Sequence, residues 1–266
     1  MGNPNKATYS AADIVNYYAQ LDWLQPAEAA ILERLQPQLS NMKMLDMGVG
    51  GGRTTLHFAP LVETYTGIDY SPKMIAACQD RFKSAEYSPS FKVCDGRNMS
   101  QFETHSFDFI LFSYNGIDYV SHGDRLRILS EIKRVGKPNG YFVFSSHNLQ
   151  ALEQELSWRK HLSRNPLNTY ASFVALSLFW LFNPSLNRQS IVNADYLIVR
   201  DDSHLFRLKT YYIRAAQQLK QLSQHFSPLE VYPWRSQTGV LDPNDSSMEA
   251  NLWLYYLCQI KADAEP

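Results

Sequence analysis

Residues 45–55, LDMGVGGGRTT, decide the fold. The apolar run MKMLDM at 42–47 is typical of a buried strand, and the first turn of a helix follows the glycines. A strand, a glycine loop and a helix arranged in this order direct backbone N–H groups and a helix N-terminus at a ligand. The stretch therefore predicts a site for a nucleotide or a nucleotide-like molecule.

Two common glycine-loop ligands fit this sequence poorly. A dinucleotide fingerprint, G-x-G-x-x-G, that begins at Gly48 requires a third glycine at position 53, and Arg53 stands there. The Arg53 side chain would crowd the packing of helix against strand. A phosphate-binding Walker loop is also absent, because no Gly-Lys-Ser or Gly-Lys-Thr follows the glycines.

The chain outside this stretch alternates strand patterns with helix patterns. The predicted strands are TYTGID, SFKVCD, FDFILFSY and YFVFSSHN, followed near the end of the chain by PLEVYPW and NLWLYYLCQIK, which are candidates for an antiparallel pair. Such alternation favours an α/β fold: a Rossmann-like, mostly parallel sheet of seven strands with helices on both faces. YLIVRDDSHLFRLKTYY, between these groups, predicts a hairpin.

The same pattern divides the chain into four regions. Residues 1–41 are predicted to form N-terminal helices that cover the ligand site, and residues 42–148 are predicted to form the ligand-binding core. The alternation stops after Asn148, so residues 149–212 are interpreted as an inserted α/β substrate lid. Residues 213–266 return the chain to the core as its last helix and strands.

Composition limits the class of protein. The chain of 266 residues has a formal net charge of −1, which gives no general attraction to nucleic acid or anionic lipid. Three scattered cysteines form neither a disulfide framework nor a metal-site spacing, which suits the reducing cytoplasm. The N-terminus lacks the apolar core of a signal peptide. The apolar segment at 171–182 is too short to span a bilayer and predicts a buried or lid helix; the alternative is a surface that meets a lipid-like substrate or a membrane.

Acidic side chains end three neighbouring strands. Asp46 directly precedes the glycine loop, Asp69 ends the second strand and Asp95 ends the third. A carboxylate at the second position can accept both hydroxyls of a ribose, and one at the third suits the amino group of an adenine. Ligands of open α/β sheets bind at these carboxyl ends.

Together these features resemble the class I S-adenosylmethionine-dependent methyltransferases. The resemblance rests on LDMGVGGGRTT, TGIDYSPKMI, KVCDGRNM, FDFILFSYNGIDYV and EIKRVGKPNGYFVFSSHN, which cover roughly residues 42–148 in the order of the family. One motif departs from the usual Leu-Lys-Pro-Gly-Gly and reads Gly-Lys-Pro-Asn-Gly at 136–140. Because asparagine tolerates left-handed backbone, we expect this turn to survive.

The resemblance implies S-adenosylmethionine as cofactor and S-adenosylhomocysteine as product. Gly48 and Gly50 would approach the methionine part and Asp69 the ribose. The other implied cofactor-binding residues are Tyr17, Asp46, Arg53, Tyr70, Met74, Asp95, Gly96 and Ser113. Of these, Tyr17 and Arg53 are candidates for the cofactor carboxylate, and Tyr70 and Met74 for the face of the adenine.

Several of these residues have plainer interpretations. Asp46 serves equally well by orienting the glycine loop, and Met74 as ordinary core. Tyr17 lies on an amphipathic helix, where packing alone explains an aromatic side chain. Arg53 fits equally well as a solvated residue of a first helical turn.

The acceptor side of the site is less determined by sequence. A methyl acceptor must be held in line with the sulfonium methyl and, where it carries a proton, must lose it to a base. The candidates are Tyr114, Asp118, His147, His204 and Tyr211. Each also has a structural interpretation: His147 as a cap, His204 as a turn residue and Asp118 as a partner of local backbone.

The function that follows is transfer of a methyl group to a nitrogen or oxygen of a small molecule. Asp118, as an anchor for an amine, and the lack of a metal-ligand cluster favour nitrogen slightly. No metal, nucleic acid or stable membrane insertion is expected. The alternatives are a nicotinamide-dependent oxidoreductase, which lacks its third glycine here, and a non-catalytic protein that binds the cofactor or a partner.

Overall fold

The computed structural model describes residues 12–202, 206–240, 242 and 245–263. Nine strands form one sheet in the order β3-β2-β1-β4-β5-β7-β6, with β9 paired to both β5 and β8. The strands are β1 (Lys43–Met47), β2 (Thr64–Asp69), β3 (Ser90–Val93), β4 (Phe107–Phe112), β5 (Gly136–Asn148), β6 (Tyr196–Val199), β7 (Thr210–Ile213), β8 (Phe226–Pro233) and β9 (Trp253–Ile260).

Helices cover the sheet and connect its strands. They are α1 (Ala12–Gln20), α2 (Pro26–Leu39), α3 (Thr55–Phe58), α4 (Pro72–Arg81), α5 (His122–Val135), α6 (Leu149–Glu155), α7 (Pro166–Phe182), α8 (Arg188–Val192), α9 (Ala215–Leu222) and α10 (Ser246–Glu249). Pro26 and Pro72 each occupy a first helical turn, where the missing N–H costs no hydrogen bond.

The predicted α/β fold is confirmed. Strands β1 to β5 are all parallel, and β9 runs antiparallel to β5 and β8. The sheet is wider than the seven strands expected, because a hairpin of the antiparallel strands β6 and β7 joins it through parallel pairing of β7 with β5. Asn139 has the left-handed φ of 65° that the Gly-Lys-Pro-Asn-Gly motif requires, and the pairing of β4 with β5 is irregular beside it.

Strand β4 shows why a continuous apolar sequence suits the centre of this sheet. Successive side chains of a strand point to opposite faces. Ile110 and Phe112 pack with α5 residues on one face, whereas Phe109 and Leu111 pack with α2 residues on the other. Both faces are therefore closed to water, and ligands have access only along the strand ends.

Strand β5 joins the core to residues 149–212, which we call the insertion segment. It has thirteen residues and is longer than its neighbour β4, which has six. Tyr141–Phe144 pair with β4, residues 141–147 pair with β9, and the last two residues, His147 and Asn148, pair with β7. The end of β5 is therefore shared by the core and the insertion segment.

Helix α1 packs directly on the glycine loop. A Cβ built on Gly51 would lie 2.4 Å from backbone atoms of Ala19, so only glycine permits this approach. A Cβ on Gly123, in the first turn of α5, would meet nothing within 4 Å.

These two glycines form a matched pair for mutation. We expect Gly51→Ala to push α1 away from the loop, lowering the free energy of unfolding by about 1–3 kcal/mol and speeding proteolysis within residues 12–20. Gly123→Ala should instead stabilise the protein by about 0.5–1 kcal/mol, because alanine loses less backbone entropy in a helix. Chemical denaturation and limited proteolysis measure both. Equal stability of the two variants would contradict the packing of α1 on the loop.

Candidate functional site

A cavity of about 520 Å³ lies at the carboxyl ends of β1, β2, β3 and β4. Its volume falls in the range of small-molecule and cofactor sites. Ten of the predicted cofactor residues line it: Asp46, Gly48, Gly50, Arg53, Asp69, Tyr70, Met74, Asp95, Gly96 and Ser113. Residues far apart in sequence are thus brought to one space by the parallel strands that end there.

The glycine loop forms one wall of the cavity. Gly48, Gly50 and Gly52 have φ values of 64°, 56° and 82°, which side-chain-bearing residues rarely adopt. A Cβ on Gly50 would lie 3.8 Å from Tyr18 Cδ1, an ordinary van der Waals contact, so the left-handed φ and not crowding favours glycine at this position. The loop is thus a backbone cradle that a ligand can approach closely.

Asp69 holds the cradle in shape and faces the same cavity. Its Oδ2 accepts a hydrogen bond from Gly50 N at 3.2 Å, and its Oδ1 accepts one from Ser71 N at 2.8 Å. Burial raises the pKa of Asp69 to about 6, against the lowering effect of these two N–H donors. Each carboxylate oxygen has a second lone pair, so the group can still accept from a ligand diol.

Asp46 is bound into the protein more completely. Its Oδ2 accepts from the hydroxyls of Thr54 and Tyr65, each at 2.5 Å, and the residue is buried. Burial raises its pKa to about 6, although both hydroxyls oppose the shift. These contacts tie the end of β1 to the start of α3 and to β2, which supports the interpretation that Asp46 orients the loop.

Asp95 is paired with Arg97, a residue that the sequence did not single out. The Arg97 Nε lies 2.9 Å from Asp95 Oδ1, and its Nη2 lies 2.6 Å from Oδ2. Arg97 also lines the cavity and reaches Asp124 at 3.3 Å. This fork of donors fixes the orientation of the Asp95 carboxylate at the cavity wall.

A buried ion pair closes the cavity beside the glycine loop. Arg53 donates from both Nη atoms to the two carboxylate oxygens of Glu28, each at 2.6 Å, and Nη1 also donates to the Trp23 carbonyl at 2.9 Å. Burial would raise the pKa of Glu28, but Arg53, Ser113 and the Gln25 N–H hold it below its usual value. Arg53, predicted for a cofactor carboxylate, is thus already paired within the protein while it lines the cavity.

Ser113 and Tyr255 complete this cluster. The Ser113 hydroxyl donates to Glu28 and lies 3.0 Å from the Tyr255 hydroxyl, which in turn lies 2.7 Å from Gln25 Oε1. Residues from α2, the glycine loop, the end of β4 and β9 therefore share one hydrogen-bond network.

Two tyrosines of α1 behave differently. Tyr18 lines the cavity, and its ring contacts that of Tyr114 edge to face at 6.2 Å. Tyr17, the predicted cofactor residue, is 55% exposed and contacts Tyr18 instead.

The segment after β4 carries backbone strain. Tyr114 and Asn115 have φ values of 57° and 58°, which are uncommon for residues other than glycine. Asn115 is held by a hydrogen bond from its N–H to the Ser145 hydroxyl at 2.7 Å. Tyr114 lines the cavity, with the Arg53 guanidinium 5.1 Å from its ring centre. Strain of this kind is concentrated at functional sites.

His147 and Asp118 form a buried pair behind this segment. Asp118 Oδ2 accepts from the His147 backbone N–H at 2.6 Å and from Nδ1 at 2.8 Å. Its Oδ1 accepts from Ser146 and from Arg125, another buried residue that the sequence did not single out. Because the carboxylate only accepts, the Nδ1 proton points to Asp118 and the Nε2 lone pair of His147 points away.

The Nε2 atom of His147 lies within hydrogen-bond distance of Asn115. Asn115 Nδ2 is 3.4 Å from His147 Nε2, and Asn115 Oδ1 is buried without a hydrogen-bond donor among the described residues. His147 itself is 4% exposed, and its ring contacts that of Tyr119, which lines the cavity. The pair therefore lies one side chain behind the cavity wall.

The remaining predicted acceptor residues lie elsewhere. Tyr211 is buried, stacks on His122 and places its hydroxyl 2.8 Å from His122 Nδ1. His204 lies outside the described residues. Within the described ranges, no cluster of three or more His, Cys, Asp and Glu could hold a metal ion, and Cys78, Cys94 and Cys258 are free and buried.

Comparison with known proteins relates the chain to methyltransferases. Residues 45–144 match the family described as a methyltransferase domain. The chain is 32% identical over 133 residues to a demethylmenaquinone methyltransferase of Thermotoga maritima, covering 49% of this chain and 52% of that protein. It is 29% identical over 172 residues to a citrinin polyketide synthase of Monascus ruber, covering 53% of this chain and 7% of that protein.

A solved structure shares the fold over nearly the whole chain. The 1,6-didemethyltoxoflavin-N1-methyltransferase of Burkholderia thailandensis, solved with 1,6-didemethyltoxoflavin and S-adenosylhomocysteine bound, superposes with a TM-score of 0.58 at 15% identity. The superposition covers 98% of this chain and 92% of that one. The chain thus spans about half or less of the length of the two curated relatives above, while the fold matches along its length. The methyltransferase resemblance is confirmed.

The Glu28–Arg53 pair gives a stability prediction. Glu28→Leu alone should lower the free energy of unfolding by about 3–5 kcal/mol, because it leaves the Arg53 charge buried without its partner. The double variant Glu28→Leu, Arg53→Met should recover more than half of this loss, because neither charge then remains. Urea denaturation of the single and double variants measures the coupling. Simple addition of the two single losses would contradict a coupled pair.

Proposed function

We propose that this chain, whose core is a class I S-adenosylmethionine-dependent methyltransferase domain, transfers a methyl group from S-adenosylmethionine to a small molecule. The observation that carries the proposal is the single cavity in which the left-handed glycine loop meets the acidic ends of β1, β2 and β3. A ligand with a ribose, an adenine and an amino-acid tail offers matching groups in matching places.

The residues present fit this cofactor. Asp69 retains lone pairs for two ribose hydroxyls, and Gly50, which lines the cavity without a side chain, lets the methionine part approach the backbone. Asp95, oriented by Arg97, is placed to accept from the adenine amino group, with Tyr70 and Met74 beside it in the cavity. When bound, S-adenosylmethionine supplies an electrophilic methyl group; the protein binds, orients and shields it.

We propose a main role for Arg53 that differs from the one its sequence position predicts. Its two Nη atoms are engaged by Glu28, so its first role is to fix the loop, and its charge acts on the cofactor carboxylate from behind the loop. Tyr18, which lines the cavity, is better placed to contact the cofactor than the predicted Tyr17, which is exposed.

On the acceptor side we propose His147 as general base. Asp118 positions the ring and leaves Nε2 as the acceptor, an arrangement suited to removing a proton from a nucleophile. Because His147 lies behind Tyr119 and Asn115, the acceptor reaches it by displacing one of these side chains. Asn115 Oδ1 offers a hydrogen-bond acceptor on the same side.

This assignment bears on the atom that is methylated. The lean to nitrogen rested on Asp118 as an anchor for an amine, but both its oxygens already accept from Arg125, Ser146 and His147. A positioned base suits any acceptor that must lose a proton, whether O–H or N–H. We therefore propose an acceptor with an ionisable hydroxyl or amine proton, and mass-spectrometric mapping of the methylated atom would distinguish the two.

The insertion segment is proposed as the substrate lid. Support comes from Tyr212, which sits in its apolar cluster and whose ring lies 4.9 Å from that of His147. A cytoplasmic location and the lack of a nucleic-acid partner remain predictions from composition.

Calorimetric titration tests the cofactor and the role of Asp69 together. We expect micromolar binding of S-adenosylhomocysteine and no binding of NADH or NADPH. Because the ionised Asp69 accepts from the ribose and its pKa in the free protein is about 6, affinity should rise through pH 6 and fall about tenfold per unit below it. Asp69→Asn should bind weakly at every pH.

The pH slope identifies the group responsible. If Asp69→Asn keeps the same slope as the unaltered protein, the titrating carboxylate is another one, and the assignment of Asp69 to the ribose fails. Binding of a nicotinamide cofactor alone would overturn the proposed function.

Kinetics with an accepted substrate test His147. We expect His147→Gln to lower kcat by about 100- to 1,000-fold, as removal of a general base does, while S-adenosylhomocysteine affinity stays within about twofold. His225→Gln, on a histidine far from the cavity, is the matched control and should leave kcat unchanged. A kcat of His147→Gln close to that of the control would show that the ring has only a packing role.

A further inference from the structure

Helix α7 exposes an apolar face where most helices present polar side chains. Leu167, Tyr170 and Leu181 are 76%, 71% and 71% exposed, and Val174 is 39% exposed. Together with Leu178 these residues recur at spacings of three and four, which places them in one stripe along the helix. The opposite side carries Phe179, which is buried in the cluster of the insertion segment.

The stripe forms a continuous shallow groove on the surface. The groove is lined by Tyr170, Phe173, Val174, Ser177, Leu178 and Leu181. None of the seventeen residues of α7 is charged. An exposed apolar surface of this kind marks a place where another apolar body docks.

The charged residues nearest to α7 along the chain are all basic, and acidic residues stand just outside them: Glu155, which pairs with Lys160 at 2.8 Å, and Asp195. From Leu156 to Ala194 the ionised side chains are Arg159, Lys160, Arg164 and Arg188, all exposed, and the segment contains no acidic residue. Trp158 is 52% exposed, and the Arg159 guanidinium lies 5.6 Å from its ring centre. An aromatic ring paired with a cation suits the boundary between lipid tails and headgroups.

We propose that α7 and its basic flanks dock on the surface of an anionic phospholipid membrane. The apolar stripe enters the outer part of the acyl region, and Arg159, Lys160, Arg164 and Arg188 contact phosphate groups. The cationic segment is complementary to an anionic bilayer, and this distinguishes it from a second copy of the chain, whose α7 region carries the same positive charges. Among the described residues no helix has the length and apolarity to traverse the bilayer, so α7 lies along it.

The docking face is connected to the acceptor side of the cavity. Phe179 on the inner side of α7 packs in the same cluster as Tyr212, whose ring neighbours that of His147. A membrane bound to the outer stripe therefore contacts the element that covers the acceptor. The docking itself does not depend on methyl transfer, so it is measured without cofactor.

Vesicle co-sedimentation of the full chain tests the proposal. We expect binding to vesicles of equal parts phosphatidylcholine and phosphatidylglycerol, at least about tenfold tighter than to phosphatidylcholine alone. Val174→Asp should weaken binding by about tenfold or more, because it places a charge in the stripe. Replacing Arg159, Lys160 and Arg164 with Gln should remove the preference for the anionic vesicles.

Leu126→Asp is the matched control. Leu126 is 40% exposed, a fraction similar to the 39% of Val174, but it lies on α5 of the core. We expect the Leu126→Asp variant to bind vesicles as tightly as the unaltered protein does. An equal loss in both variants, or equal binding to neutral and anionic vesicles, overturns the proposal.

Sedimentation velocity without lipid separates self-association from membrane docking. A chain that dimerises, becomes monomeric with Val174→Asp and fails to bind vesicles would show that a second copy covers α7 and would overturn the proposal. S-adenosylhomocysteine titration of the same variants is independent of either result. Loss of vesicle binding therefore leaves the proposed function untouched, and loss of cofactor binding leaves the docking untouched.

Discussion

The site depends on one buried charge pair, between Glu28 on α2 and Arg53 after the glycine loop. Two ions taken out of water stabilise a fold only where the geometry is good and further hydrogen bonds satisfy them. Here Ser113, Tyr255 and the Trp23 carbonyl supply those bonds. The pair thereby fixes an N-terminal helix against the loop and against the ends of two strands. The cavity retains its shape because elements distant in sequence share one electrostatic contact.

Much of the fold follows from local patterns. The five parallel strands of the core, the acidic ends of three of them and the antiparallel last strand are predictable because apolar runs, glycines and caps act over a few residues. The positions of Asp69 and Asp95 follow from the rule that strand ends gather ligands. The two extra strands of the sheet could not be counted in advance, since the hairpin of the insertion segment was recognisable but its docking on the end of β5 depends on contacts across the fold.

The partners of the polar residues were beyond local patterns. Glu28 is an ordinary acid of a first helical turn until the fold brings it to Arg53, twenty-five positions away. Asp118 was expected to anchor an amine or to cap local backbone. In the structure its carboxylate instead accepts hydrogen bonds from His147 and Arg125. The pairing of Asp118 with Arg125 had a signal in the sequence, because Arg125 follows Asp118 by seven residues, near the start of an amphipathic helix. The burial of these charges, which makes their pairing important for stability, depends on the complete fold.

The insertion segment leaves and rejoins the core at neighbouring positions, because Asn148, which precedes it, is the register partner of Ile213, which follows it. A peptide whose two ends are hydrogen-bonded neighbours costs the core little entropy to lengthen, shorten or exchange. The core and the insertion segment can therefore diverge at different rates. Under the proposed role of this segment as substrate lid, grafting a related segment between these two positions would change acceptor specificity and leave the cavity at the ends of β1 to β4 intact.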